Sequence, residues 1–278
     1  MDDMKPKRFP AGALLLILGV IVLIIGIVAW NVMGTEKFVT VVDISESYDA
    51  SQVSKLNIDL GVGTTKIESC DGTQIRIEGR NIPEEAYIFE CSGDTFSLKY
   101  KQHKWYEWYK QPFAFYYNDA DDEMELTVYI PNKEYDKLTL QGGVGEYTVK
   151  GISCKEADCD FGVGEGTMED LTVSGKTDID TGVGQLKMVN CTLGYVDIDC
   201  GVGEIDFSGR INNGLDVDGG VGECTFDIDG YRAQYKIDTD SGVEDVSIKG
   251  SDTVPEGISG TIPVKVDCGV GEINFIFN

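Results

Sequence analysis

The stretch that decides the fold is Ile198-Asp199-Cys200-Gly201-Val202-Gly203-Glu204-Ile205-Asp206-Phe207. Its central tripeptide, Gly-Val-Gly, recurs at residues 61–63, 143–145, 162–164, 182–184, 220–222 and 269–271. The valines of the central copies lie 19 or 20 residues apart, and an eighth copy at 242–244 has lost its second glycine. A fixed period of this length is typical of repeat proteins, in which each unit packs only against its neighbours.

Apolar and polar residues alternate on both sides of each Gly-Val-Gly turn. In the quoted copy Ile198 and Phe207 are apolar, whereas Asp199 and Glu204 are acidic. A period of two indicates short strands with one buried face. An antiparallel meander would satisfy this alternation, but a parallel solenoid also explains why equivalent positions carry the same residue type, because they stack about 4.8 Å apart. The sequence therefore predicts an all-β fold, a parallel β-helix with coils of about 19 residues, over residues 56–278.

Three structural details of the coils follow from this prediction. The repeated glycine is expected to supply a positive φ at each corner. The valine is expected to fill that corner from inside. The last strand, residues 273–278, is expected to leave one end of the solenoid exposed, which would favour self-association by end-to-end pairing.

The N-terminal region predicts a membrane anchor. Residues 11–30 form an apolar run without a charged side chain, long enough to cross a hydrocarbon layer of roughly 30 Å. A cleaved signal peptide would have a shorter apolar region followed by small residues. Lys5, Lys7 and Arg8 precede the run, so the positive-inside rule predicts a cytoplasmic N-terminus. The expected order is a cytoplasmic tail over 1–10, a transmembrane helix over 11–33, a stalk over 34–55, and an extracytoplasmic solenoid.

The charge balance excludes one class of partner. The 278 residues include 23 Lys+Arg and 48 Asp+Glu, for a formal net charge of −25. Such a surface repels phosphates, which excludes a protein that binds nucleic acid through the phosphate backbone of the nucleic acid. The chain has a single His, which disfavours histidine-based triads and metal sites. The prediction is a non-enzymatic protein without a cofactor, with a carbohydrate-active β-helix enzyme as the competing class.

With these residues in view, the chain resembles the bacterial putative-adhesin family, also described as the toastrack domain. The resemblance rests on the anchor, on Leu126-Thr-Val-Tyr-Ile-Pro131, on Tyr135-Asp-Lys-Leu-Thr-Leu140 and on the Gly-Val-Gly-Glu series, and it covers about residues 50–278. It implies a right-handed β-helix at the cell surface, sometimes linked to envelope-stress systems. It implies no catalytic residue.

Acidic residues recur beside the turns and form the first candidate site. If the coils stack in sequence order, one column of aspartates forms before the turns and glutamates stand across from it. Each aspartate could accept hydrogen bonds from the amides of its own turn. Alternatively, neighbouring coils could share a divalent cation such as Ca²⁺, which takes six to eight oxygen ligands. The residues of this cation ladder are Asp180, Asp199, Asp218, Asp240, Glu204 and Glu223.

An aromatic insertion over residues 102–123 forms the second candidate site. It breaks the alternating pattern, and the aromatic cluster has basic neighbours at Lys99, Lys101, Lys104 and Lys110. One interpretation is a loop that covers an edge of the solenoid. The other is a binding patch over 102–118 for an envelope protein or a glycan, since clustered aromatic rings with basic neighbours suit such partners. The aromatic residues are Trp105, Tyr106, Trp108, Tyr109, Phe113, Phe115, Tyr116 and Tyr117.

The eight cysteines are even in number, which in an extracytoplasmic chain suggests disulfides. Four of them, Cys159, Cys200, Cys224 and Cys268, nevertheless fall at inward-facing positions, as small core residues would. Most cysteines are therefore expected to fill the core, with one bridge left open that would use Cys70 or Cys91.

Together these patterns predict a membrane-anchored, extracytoplasmic β-solenoid that binds or scaffolds a partner at the bacterial cell envelope, in adhesion or in envelope-stress response. The first alternative is a calcium-stabilised surface module.

Overall fold

The computed structural model describes residues 41–101, 124–241, 245–250 and 261–278. The predicted tail, the predicted transmembrane helix over 11–33, the start of the predicted stalk and the aromatic insertion over 102–123 lie outside these residues. Within the described ranges, no helix is both long and apolar enough to cross a membrane.

The described chain consists of strands, with one short 3-10 helix at Arg232–Gln234. The strands before the central coils are β1 (Val41–Asp49), β2 (Lys55–Asp59), β3 (Val62–Cys70), β4 (Gln74–Pro83), β5 (Tyr87–Ser92), β6 (Thr95–Tyr100), β7 (Glu125–Pro131), β8 (Glu134–Gln141) and β9 (Val144–Lys150). The remaining strands are β10 (Ser153–Glu169), β11 (Thr172–Ile228), β12 (Tyr235–Ser241), β13 (Asp245–Lys249) and β14 (Ile262–Phe277). The all-β prediction is confirmed.

The central coils stack in parallel and in register, as the repeat predicts. Val163 in β10 lies opposite Val183 in β11, and Met168 lies opposite Met188. On the other side of β10, Val163 lies opposite Val144. Strand β11 is 57 residues long and passes through three consecutive Gly-Val-Gly turns. Equivalent residues of successive copies therefore form columns across the stacked coils.

The coils at the C-terminal end do not stack in sequence order. Strand β14 pairs with β11 on one side and with β12 and β13 on the other. Asp267 therefore lies between Asp218 and Asp240 in the aspartate column. The expectation that the last strand leaves an exposed end is wrong, because both backbone edges of β14 are hydrogen-bonded to neighbours. Within the described residues β12 and β13 pair only with β14, so the open backbone edge lies on them and self-association stays a prediction.

Antiparallel strands stand at the N-terminal end of the sheet. Strand β1 pairs with β4, and β4 pairs with β7, both antiparallel. Ala50 and Val53, which follow β1, are buried in the core. Residues 41–55 thus belong to the sheet and its core, where the sequence predicted a stalk. Over residues 41–55 the stalk prediction is wrong, because β1 is polar on most positions and pairs through its backbone, which composition does not report.

Alternate residues on both sides of each turn fill the core. On the side after the turn, the Phe226 ring stacks on Phe275 with centroids 5.2 Å apart and lies 6.3 Å from the Phe207 centroid. All three rings are buried. The period-two pattern therefore identified these inward-facing residues correctly, whereas Ile248 of β13, which lies opposite Phe275, is 41% exposed.

The two glycines of each turn are required for different reasons. The second glycine has a positive φ, for example +154° at Gly203, which L residues with a side chain rarely adopt. The first glycine of the central turns, such as Gly201, lies outside that φ region. A Cβ there would lie 2.1 Å from the Gly182 carbonyl oxygen of the neighbouring coil. The expected positive φ is thus confirmed for the second glycine, whereas close backbone stacking requires the first.

Thr177 provides a prediction about core stability. Its side chain is fully buried in β11, and its hydroxyl has no hydrogen-bond partner in the described structure. We expect Thr177→Val to raise the free energy of unfolding by about 1–2 kcal/mol, because it removes an unsatisfied buried hydroxyl at nearly constant volume. Thermal unfolding followed by circular dichroism checks this value. The exposed Thr192→Val is the matched control and should change stability by less than about 0.5 kcal/mol. Equal effects of the two substitutions would contradict the prediction.

Candidate functional site

The Gly-Val-Gly turns of successive coils align along one edge of the fold, which we call the turn edge. Its centre is a row of valines, the valine stripe, whose side chains are 37% to 53% exposed. Register pairs Val144 with Val163, Val163 with Val183, and Val221 with Val270. At about 4.8 Å per coil, six valines span about 24 Å. The stripe consists of Val144, Val163, Val183, Val202, Val221 and Val270.

The expectation that these valines fill the corner from inside is wrong. The residue directly before each tripeptide and the second residue after it fill the corner instead, and they compensate one another in size. Phe161 precedes one turn, and Gly166 follows it; a Cβ on Gly166 would lie 3.6 Å from the Phe161 ring. In the neighbouring coil Gly142 precedes the turn and Tyr147 follows it, and the Tyr147 and Phe161 centroids lie 6.4 Å apart. No space is left for the valine, so it faces solvent.

Carboxylates flank the valine stripe on both sides. The aspartates before the turns and the glutamates after them are exposed. The coils therefore place one row of carboxylates on each side of an apolar centre, with Gln141 in place of an aspartate in one coil and Gln185 in place of a glutamate in another. The aspartate row contains Asp160, Asp180, Asp199, Asp218 and Asp267, and the glutamate row contains Glu146, Glu165, Glu204, Glu223 and Glu272.

Crowding of the aspartates is visible at Asp199. Partial burial raises the pKa of this carboxyl, and the charge of Asp180 together with a hydrogen bond between the two side chains raises that pKa further. Asp180, Asp199 and Asp218 line a shallow groove of about 320 Å³, with Cys200 among its lining residues. The aspartate row is therefore a zone of concentrated negative charge that favours a positively charged partner.

The aspartates were interpreted either as hydrogen-bond acceptors for their own turns or as cation ligands. The first arrangement occurs at Asp59, whose carboxylate accepts a hydrogen bond from the Gly61 N–H at 3.0 Å. Within the part of the chain that the structure describes, no three His, Cys, Asp or Glu side chains converge on a metal position. The structure brings Asp180, Asp199 and Asp218 together, separates Asp240 from Asp218 by Asp267, and places Glu204 and Glu223 beyond the valine stripe. Cation binding stays a prediction, and melting curves with calcium and with EDTA test it.

The aromatic candidates, Trp105 to Tyr117, lie outside the described residues.

The described cysteines test the prediction that most cysteines fill the core. Cys154, Cys159, Cys191 and Cys224 are buried, and Cys200 packs partly buried against the core. Cys70 is half-buried and Cys91 is exposed. Within the described ranges the cysteines form no disulfide.

Sequence reasoning missed the valine stripe as a surface feature. The sequence did contain a signal for it. The residues around the corner vary in size from coil to coil, so a residue that filled the corner would have to vary with them, whereas the central residue of the turn is always valine. The residues that do vary in size, Phe161, Thr181, Cys200 and Gly219, stand directly before the tripeptide.

Comparison with known proteins identifies the fold. The sequence model of the Toastrack DUF4097 family matches residues 49–256. The crystal structure of a putative adhesin from Bacteroides fragilis is similar with a TM-score of 0.53 and 19% identity, covering 84% of this chain and 97% of that one. The crystal structure of a putative lipid binding protein from Parabacteroides distasonis has a TM-score of 0.43 and 15% identity, covering 83% and 96%. No curated protein sequence matches the chain.

Proposed function

Because the chain belongs to the Toastrack DUF4097 family and its stacked coils present one continuous apolar and acidic edge, we propose that it is a non-enzymatic binding scaffold of the bacterial cell envelope. Adhesion or sensing of envelope state is the role that suits such a scaffold. The apolar run over residues 11–30 would anchor it, with the N-terminus in the cytoplasm and the coils outside.

The observation that carries this proposal is the valine stripe between two rows of carboxylates. Isolated exposed valines are ordinary, whereas an aligned row of six gives a contiguous apolar surface of the kind that marks interaction sites. Valine in an exposed column contributes little to the core, so its recurrence in each coil needs another explanation. Contact with a partner supplies one.

Charge complementarity defines the chemistry of that partner. Its apolar centre would contact the stripe, and its basic side chains would reach the carboxylates on either side. A cationic amphipathic segment of an envelope protein, extended along the stripe, meets both conditions. Such a segment gains apolar contact and steering by the negative edge at the same time.

A synthetic peptide of alternating lysine and valine tests the turn edge. We expect the full-length protein in non-ionic detergent to bind it, measured by fluorescence anisotropy. The triple substitution Val163→Ser, Val183→Ser and Val202→Ser should weaken binding at least tenfold, because about 1.4 kcal/mol of lost apolar contact changes the dissociation constant by that factor. Raising the salt concentration to about 0.5 M should also weaken binding, since exposed charges are then screened.

The matched control is the pair Val41→Ser and Val42→Ser in β1, where the valines are 48% and 38% exposed. These substitutions should leave peptide binding unchanged. Equal loss in both variants, or salt-insensitive binding, would contradict the turn edge as the binding surface.

The anchor is tested by the accessibility of Cys91, which is exposed. We expect a membrane-impermeant maleimide to label this cysteine in intact spheroplasts to the same extent as after lysis, because the coils would lie outside the membrane. Deleting residues 11–30 should release the protein from the membrane fraction. Cys91→Ser is the control for the labelled peptide. Labelling of Cys91 only after lysis would refute the proposed topology.

A further inference from the structure

Two cysteines face each other inside the corner of adjacent coils. Cys200 directly precedes one Gly-Val-Gly turn, and Cys224 follows the next turn after one glutamate. Their sulfur atoms lie 3.8 Å apart, which is van der Waals contact. The two side chains reach each other because Gly219, which follows Cys200 in the column before the turns, has no side chain to fill the space between them.

The residues that fill this corner differ from those of the other coils, because two cysteines meet here in place of one large and one small residue. Elsewhere one large and one small residue meet across the corner, as Phe161 and Gly166 do. Here Cys200 has Ile205 as its counterpart in its own coil, and Gly219 has Cys224 in the next. Between Cys200 and Cys224 there is therefore no large side chain, and their sulfur atoms are adjacent across neighbouring coils.

The two thiols differ in access. Cys200 is partly exposed and lines the groove between Asp180, Asp199 and Asp218. Cys224 is 6% exposed. A reagent in the groove therefore meets Cys200 first, and Cys224 can reach the Cys200 sulfur from the core side. A hydrogen bond with the Cys200 thiol holds the pKa of Cys224 below its usual value.

We propose that Cys200 and Cys224 are a redox-active pair that is oxidised to a disulfide by exchange with a small, positively charged disulfide. The Cys200 thiolate attacks one sulfur of that disulfide, forms a mixed disulfide and releases one thiolate. Cys224 then attacks the Cys200 sulfur, forms the intramolecular bond and releases the second thiolate. The protons of the two cysteine thiols end on the two released thiols, so the protein loses two electrons and the small disulfide gains them.

Positive charge on the oxidant follows from the groove. Three carboxylates surround the entry to Cys200, so they concentrate a cation and repel an anion. The closure of the pair requires rotation of the side chains from 3.8 Å to the bonded S–S distance of about 2.05 Å. The product ties two neighbouring coils together.

The test uses full-length protein, purified in the reduced state in non-ionic detergent and treated with cystamine. Trypsin cleaves after Lys187, Arg210 and Arg232, so Cys200 and Cys224 fall on separate peptides, 188–210 and 211–232. We expect these peptides to be linked, with a mass lower than their sum by two hydrogen atoms. Dithiothreitol should separate them. The linked protein should melt on the order of 5–10 °C higher than the reduced protein.

Substitutions distinguish this pair from other thiols. Cys191 lies on the same peptide as Cys200, so Cys191→Ser is the matched control and should keep the link. Cys224→Ser should accumulate the mixed disulfide on Cys200, whereas Cys200→Ser should lose both products. Oxidised glutathione, which is anionic, should react at least tenfold more slowly than cystamine.

Modification of the exposed Cys91 shows in each experiment that the oxidant is active. Unlinked peptides under conditions that fully modify Cys91, or a link that survives Cys200→Ser, would overturn the redox pair. Equal rates for cystamine and oxidised glutathione would overturn entry through the acidic groove.

Discussion

Alanine at Gly203 is expected to lower the free energy of unfolding by at least about 4 kcal/mol, a large share of the 5–15 kcal/mol typical of a domain. A Cβ at this position would lie 1.7 Å from the Gly184 carbonyl oxygen in the next coil, and φ is +154°. The clashing atom is backbone, so no side chain can move aside. Chemical unfolding followed by circular dichroism measures the loss.

Two other glycines separate the causes of this loss. Gly72 has a φ of +123° and nothing within 4 Å of its Cβ position, so Gly72→Ala carries backbone strain alone and should cost about 1–2 kcal/mol. Gly201→Ala carries the clash without the positive φ, since its Cβ would lie 2.1 Å from the Gly182 oxygen. If Gly203→Ala and Gly201→Ala both cost no more than Gly72→Ala, the close stacking of the turn backbones is wrong.

Alanine at Phe226 is expected to lower the free energy of unfolding by about 3–5 kcal/mol. The ring is fully buried and lies between Phe207 and Phe275 in adjacent coils. Its removal leaves a cavity and breaks two aromatic contacts. The melting temperature should fall on the order of 6–20 °C.

Val202→Ala is the matched control for Phe226→Ala, because it also shortens a recurring apolar side chain in a column of the same coils. Val202 is 49% exposed, so its substitution should change stability by less than about 0.5 kcal/mol. A comparable loss for both variants would show that the valines support the core and do not form a surface stripe.

The central architecture could be predicted from the sequence because it follows from local rules. Ile198 and Phe207 alternate with polar residues, and the period of 19 or 20 residues brings equivalent positions into parallel register. The positions of β1 and β14 could not be predicted in this way. Their partners are chosen by which backbone edges remain open at the two ends of the sheet, and the repeat contains no information about these ends.

The candidate site was predicted in part. The period correctly brings Asp180, Asp199 and Asp218 into one row. The period does not decide whether Val202 faces in or out, since the positive φ of the neighbouring Gly203 interrupts strict alternation in the turn. The approach of Cys200 to Cys224 depends on a diagonal contact between coils that involves Gly219. Alignment of equivalent columns does not show such contacts.

The central claim is that the valine stripe is the binding surface, and methyl-resolved NMR tests it most directly. Full-length protein labelled at valine methyl groups would be titrated with the lysine–valine peptide in detergent. We expect the methyl resonances of the stripe valines, such as Val163, Val183 and Val202, to shift together, while those of the buried Val173, Val196 and Val217 stay unchanged. Shifts confined to the buried valines, or no shift in the stripe at peptide concentrations that saturate the anisotropy signal, would contradict it.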